Sequence, residues 1–179
     1  MYEVPEIGAL LSQGDILEGP FAFPYSPDPG EEIQIVRGDE VLPEAQVENA
    51  WQDGSEVILM PSQRSRFAII LSNSCDAETE GGKDPLEFLT MGAIFALTTL
   101  PDDGKRGDCR KNRFVRFHYL EAIPDRDFPE SYVHFGLTAL VRQEAILEAK
   151  AKRIRTLASP YRESLGHRLG EFFSRVALP

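Results

Sequence analysis

Four scarcities frame this sequence. Its 179 residues include only two cysteines, Cys75 and Cys109, so no disulfide framework is expected and reduced thiols are. Histidine occurs three times, at His118, His134 and His167, and no two potential soft ligands stand at C-x-x-C or H-x-x-x-H spacing. No metal site and no cofactor are therefore expected. No apolar run approaches the roughly 20 residues that a membrane helix needs. The opening MYEVPEIGAL is acidic and lacks the basic region of an export signal, so the expectation is a cytoplasmic chain away from membranes. Basic residues are missing from the front. Residues 1–63 hold Arg37 alone against 13 acidic side chains, whereas residues 142–179 hold eight basic and four acidic ones. An acidic front disfavours a broad nucleic-acid footprint. It also complements the basic tail, within one chain or between copies.

Apolar content is ample. Hydrophobic residues make up 42% of the chain, with 11 Phe and 5 Tyr, enough for one substantial core. The pattern is mainly β up to residue 137. LLSQGDIL, 10–17, reads as a turn feeding a strand. FAFPYSPDPGEE, 21–32, reads as a loop or edge because its prolines exclude a central strand. EVILMP, 56–61, and RFAIILS, 66–72, read as strands joined by the polar residues 62–65. AIFALTTL after a bulge at Gly92, RFVRFHYLEAI at 113–123 and YVHFGL at 132–137 complete the strand set.

From 138 the period lengthens. Leu140, Leu147, Ala151, Ile154 and Ala158 predict one helix over 138–158. After Ser159-Pro160, the residues Tyr161, Leu165, Leu169, Phe172 and Val176 predict a second. The expected layout is a barrel body over 1–137 and a helical hairpin over 138–179 packed on it. Phe172 and Phe173 are adjacent, so one of them should point outward, toward a partner or a second copy.

Candidate site residues fall into three groups. The stretch FAIILSNSCD, 67–76, runs from apolar strand into Ser72, Asn73, Ser74, Cys75 and Asp76. A nucleophilic thiol needs a lowered pKa and a base within reach, whereas a neighbouring carboxylate raises it. The competing readings are a buried thiol with Asp76 capping a turn, or a binding corner built from the hydroxyls of Ser72 and Ser74. The second group is KRGDCRKNRFVR, 105–116. Its Arg110, Lys111, Arg113 and Arg116 interleave with Phe114 and Phe117. Such a run can hold phosphates and stack bases, or it can be a solvated connection between strands. The third group is aromatic. Trp51 lies in the acidic loop NAWQDG, and Phe21, Phe23 and Tyr25 lie in the proline-broken loop. These are candidate protein-contact anchors.

QGDIL, the proline-rich loop and GEE resemble the start of the MazF/PemK-type toxin family, and RSRFAIILSN resembles that family's arginine-led strand. The resemblance implies a small SH3-like barrel, homodimers, an antitoxin partner and cleavage of single-stranded RNA. It places a catalytic arginine on Arg66, with Phe67 where the family has proline, and a catalytic threonine on Thr98 or Thr99. The Ser72-x-x-Cys75-Asp76 element and the tail SPYRESLGHRLGEFFSRVALP are similar to an uncharacterised bacterial family with the same GDI opening. The leading functional expectation is a non-enzymatic binding or protein-interaction module in a toxin- or defence-related setting. A MazF/PemK-like ribonuclease is the alternative, followed by a cysteine-dependent hydrolase.

Overall fold

The stretch FAIIL is apolar at every position because both of its faces are covered. Phe67, Ile69 and Leu71 point into one hydrophobic cluster, and Ala68 and Ile70 point into another. That period of two is the mark of a strand. In the computed structural model this segment lies at the middle of the main sheet. Described are residues 1–5, 11–24, 35–37, 40–42, 62–72, 88–148 and 151–176.

Among these, the strands are β1 (Tyr2–Glu3), β2 (Asp15–Pro24), β3 (Ile35–Arg37), β4 (Glu40–Leu42), β5 (Ser62–Ile70), β6 (Phe88–Ala96), β7 (Phe117–Leu120), β8 (Ser131–Arg142) and β9 (Lys152–Leu157). The helices are α1 (Asp103–Arg110), α2 (Gln143–Glu148) and α3 (Tyr161–Val176). Seven strands form one antiparallel sheet in the order β1-β9-β2-β5-β6-β8-β7, and β3 pairs with β4 separately.

The sheet curls into a half-barrel. Its two end strands are β1 and β7, and the Tyr2 hydroxyl reaches across to donate to the Glu121 carbonyl at 2.6 Å. The segment following β7 then folds over the concave face. Phe128 is buried edge-on against Phe67, with ring centroids 4.9 Å apart, and against Tyr2 at 6.5 Å. α3 covers the same cluster through Leu165, Leu169 and Phe172. On the opposite face Leu17, Phe23, Leu89 and Met91 pack with Ile146 of α2. A third, smaller cluster joins Leu97, Leu100, Cys109 and Tyr132.

Several sequence expectations change here. Residues 138–158 do not form one helix. Thr138–Arg142 complete β8, α2 takes only 143–148, and 152–157 form β9. The ladder of β8 with β6 and that of β9 with β2 supply backbone hydrogen bonds that outweigh an apolar repeat compatible with a helix. In place of the hairpin expected over 138–179 stand the end of β8, the short α2, the strand β9 and then α3, and position 137/138 lies inside β8. The polar residues 62–65 belong to β5 rather than to a connection. Among the described residues Phe21–Pro24 extend β2 and pair with β5 alone, since the β9 ladder ends at Glu18. Proline is tolerated on that edge. The register shift beside Gly92 is present in the β6–β8 ladder.

Candidate functional site

QGDIL builds a corner. Gly14 adopts φ +90, where a Cβ would lie 3.0 Å from the Leu157 Cβ. Gln13 donates through Nε2 to the Leu71 carbonyl at 2.9 Å. The carboxylate of Asp15 is buried, accepts the Ser12 N–H at 2.8 Å and pairs with Arg153 at 3.0 Å. This motif therefore locks β2 to β5 and β9, a structural task.

Arg66 sits where β2 bulges between Glu18 and Phe21. Its guanidinium is held from two sides, by Asp127 at 2.7 Å and by Glu18 at 2.7 and 3.0 Å, and lies 5.0 Å above the Phe67 ring. Hydrogen bonds to the two carboxylates raise its pKa. A charge so compensated is a poor oxyanion stabiliser, because a phosphate must displace both acids. Thr98 and Thr99 lie in the short 3-10 turn 97–99 after β6. Thr98 is exposed. The Thr99 hydroxyl donates to the Ala96 carbonyl at 2.8 Å and lies 3.1 Å from the Tyr132 hydroxyl.

The basic run is not an open phosphate-binding ribbon. Residues 105–110 lie in α1, whose start is capped by Asp102 accepting the Lys105 N–H at 2.7 Å. Lys105 pairs with Asp102, Arg106 with Asp103, and Arg113 with Asp108. Arg110 grips Glu130 with two hydrogen bonds, at 2.9 and 2.7 Å. Arg116 lies 5.7 Å from the Phe117 ring, and Lys111 is exposed. Asp102 and Asp103 before the run, Asp108 within it and Glu130 across from it pair four of the six cations of what reads as a patch in one dimension.

Two polar constellations not read from the sequence gather around β7. In the first, Glu130 accepts from both Arg110 and the Tyr119 hydroxyl. Arg110, then Tyr119, hold the Glu130 carboxyl down at about 2. Burial and Glu130 push the Tyr119 phenol above its ordinary range. Neither group is poised to exchange a proton near neutrality.

In the second, Arg168 of α3 donates to the Phe114 and Phe117 carbonyls at 2.6 and 2.8 Å. His118 is buried beneath α3, and neither ring nitrogen has a hydrogen-bond partner among the described residues. Burial, then the charge of Arg168, lowers its pKa to about 4. Cys109 is buried as well, and burial pushes its thiol up to about 11. A protonated thiol and a neutral imidazole inside a core are not an activated pair. Among the described residues no group of three potential ligands could hold a metal ion.

His134 is half-buried, and its Nδ1 accepts the Gly136 N–H at 3.1 Å. His167 is exposed on α3. The Ser72 hydroxyl accepts the Thr90 N–H at 2.7 Å, tying the end of β5 to β6. Phe23 is a core residue rather than a surface anchor, and Phe21 packs beside it. Phe172 packs on Phe135, while Phe173 is 46% exposed, the division expected from their adjacency. Trp51, Asn73, Ser74, Cys75, Asp76 and Tyr25 lie outside the described residues.

Among the described residues no helix is long and apolar enough to cross a membrane. No family model, curated protein or solved structure matches the chain.

Proposed function

We propose that this chain is a non-enzymatic interaction module whose partners are proteins. The observation that carries the reading is the placement of large apolar side chains on the surface. Leu140 is 68% exposed, Phe88 37% and Phe173 46%, and the first two lie on one face of the β6–β8 ladder. Grouped exposed apolar side chains favour a protein contact. The internal pairing of Arg66 and of the 105–116 run supports the same reading, as does a formal net charge of -10. The finer kinship, an SH3-like barrel of MazF/PemK type in a toxin- or defence-related setting, rests on the QGDIL and RSRFAIILSN resemblance.

The test opposes this reading to the ribonuclease one. Single-stranded RNA incubated with excess protein is expected to stay intact on a denaturing gel. Cleavage that disappears in Arg66→Ala would overturn the proposal in favour of the toxin-like enzyme.

A further inference from the structure

His118 and Leu120 are the two buried positions of β7, so their side chains share one face of that strand. Leu120 packs there in the cluster of Val133, Phe135 and Leu165 that α3 covers. The His118 imidazole is 2% exposed, and neither ring nitrogen has a hydrogen-bond partner among the described residues. The helix above it carries a charge. Arg168 of α3 donates twice through Nη2, to the Phe114 and Phe117 carbonyls, and its buried Nε has no partner among the described residues. The guanidinium is thus fastened to the backbone immediately before His118. Glu171 of the same helix acts on Arg168 but pairs with Arg175.

The other titratable groups around the imidazole offer it no counter-charge. Cys109 of α1 is buried, with its thiol held neutral by that burial. Val133 stands opposite His118 on β8, and His134 beside it meets the Phe117 ring edge-on at 5.1 Å. Tyr119 is bound to Glu130, and Glu121 past the end of β7 is exposed. Among the described residues the charge acting on His118 is that of Arg168. A proton on this ring therefore meets desolvation and like charge together, and the ring must reach water. β7 could let water in only by breaking its ladder with β8. α3 breaks no ladder by leaving. Its backbone bonds are internal, and among the described residues side chains hold it: Leu165, Leu169 and Phe172 by packing, Arg162 and Arg168 by hydrogen bonds. Such an element opens below the cost of global unfolding.

We propose that α3 is an acid-released cover: a proton taken up by His118 lifts the helix off the cluster of Leu120, Val133 and Phe135 while the seven-stranded sheet stays intact. The inference goes beyond the interaction reading and does not depend on it. In the closed state the imidazole is neutral and Arg168 holds the Phe114 and Phe117 carbonyls. In the released state the imidazolium and the guanidinium move apart and both are hydrated. A helix of 16 residues without its packing is marginal in water. Released α3 therefore loses its amide protection, which makes the event measurable.

Hydrogen–deuterium exchange of the full chain at about pH 7.5 and about pH 5, corrected for the intrinsic exchange rate, tests this. That range stays above the ordinary titration of carboxylates. His118 has a pKa of about 4 in the closed state against an ordinary 6.5 once hydrated. Protection of the 161–176 peptides is therefore expected to fall about 30-fold at the lower pH, while β5 and β6 keep theirs. His118→Leu is expected to hold α3 protection nearly constant across the range, and His134→Gln to leave the fall in place. Should the leucine variant not fold, the unaltered chain still decides, by where protection is lost. A fall in β7 with α3 unchanged, an equal fall through α3 and the whole sheet, α3 protection indifferent to pH, or a fall that persists in His118→Leu overturns the proposal. RNA cleavage bears on none of these outcomes, so the interaction reading stands or falls separately.

Discussion

Gly14 shows what a single residue decides in this fold. Its φ of +90 and the 3.0 Å approach to Leu157 leave no room for a side chain. Gly14→Ala is expected to lower stability by about 1–3 kcal/mol, read as a shift of the urea midpoint. His118 makes a prediction in pH. Its folded pKa of about 4 lies below its ordinary value of 6.5. The unfolded chain therefore binds the proton first. Stability is full above about pH 6.5 and falls as pH drops toward 4, by on the order of 3 kcal/mol in total. His134, also lowered chiefly by burial, acts in the same direction, and Glu130 adds its own loss only below about pH 4.5. Comparing urea unfolding of the unaltered chain and His118→Leu across that range isolates the first contribution. The variant should show a shallower pH slope and, with two buried nitrogens gone that have no partner among the described residues, no loss at neutrality. An unchanged slope would mean that His118 titrates alike folded and unfolded. At this scale the sequence names candidates without their neighbours. Arg66 is conspicuous just before the apolar FAIIL stretch of β5, but Asp127 lies 61 positions away and could not be paired with it by reading.

Among elements, α3 is legible in the sequence. Tyr161, Leu165, Leu169 and Phe172 repeat at helical spacing, and Leu165 is the residue sealed against the sheet. Leu165→Ala should cost about 2–5 kcal/mol, whereas Phe173→Ala, being at the surface, should stay within about 0.5 kcal/mol. Equal effects in thermal melts would contradict the packing described for this helix. The segment 138–158 misled for an instructive reason. Leu140 and Ile154 fit one helical stripe, yet Leu140 stands exposed on β8 and Ile154 is buried on β9. Periodicity reports which residues are apolar, while available ladder partners decide the backbone. α1 is not legible in the sequence for the opposite reason. Its sequence DGKRGDCR carries two glycines and almost no apolar face, and it persists through the Asp102 cap and the burial of Cys109.

The whole molecule is held by long-range ties. The acidic front and basic tail meet through Asp15–Arg153 and Glu3–Arg162, which anchor β9 and α3 to the first strands. The seam between the sheet's ends depends on Tyr2, through its bond to Glu121 and its packing on Phe128. Tyr2→Phe keeps the packing and removes the bond. An expected loss of about 1 kcal/mol should accompany faster amide exchange at Leu120 and Ile123, while β5 and β6 exchange as before. Uniform acceleration across the sheet would show that the seam does not open by itself.

By itself the sequence determined the mainly β character, the doubly buried strand around FAIIL, the turn at Gly14 and the final amphipathic helix. Each of these is a local pattern of apolar spacing or turn chemistry, legible without knowing what lies opposite. Only the tertiary structure decided that 138–142 and 152–157 are strands and that Arg66 lies between two acids. It also decided that four of the six 105–116 cations face carboxylates and that β8 extends past its β7 partner. Those outcomes depend on which distant residues the folded sheet brings within a few ångströms, and no local pattern encodes that.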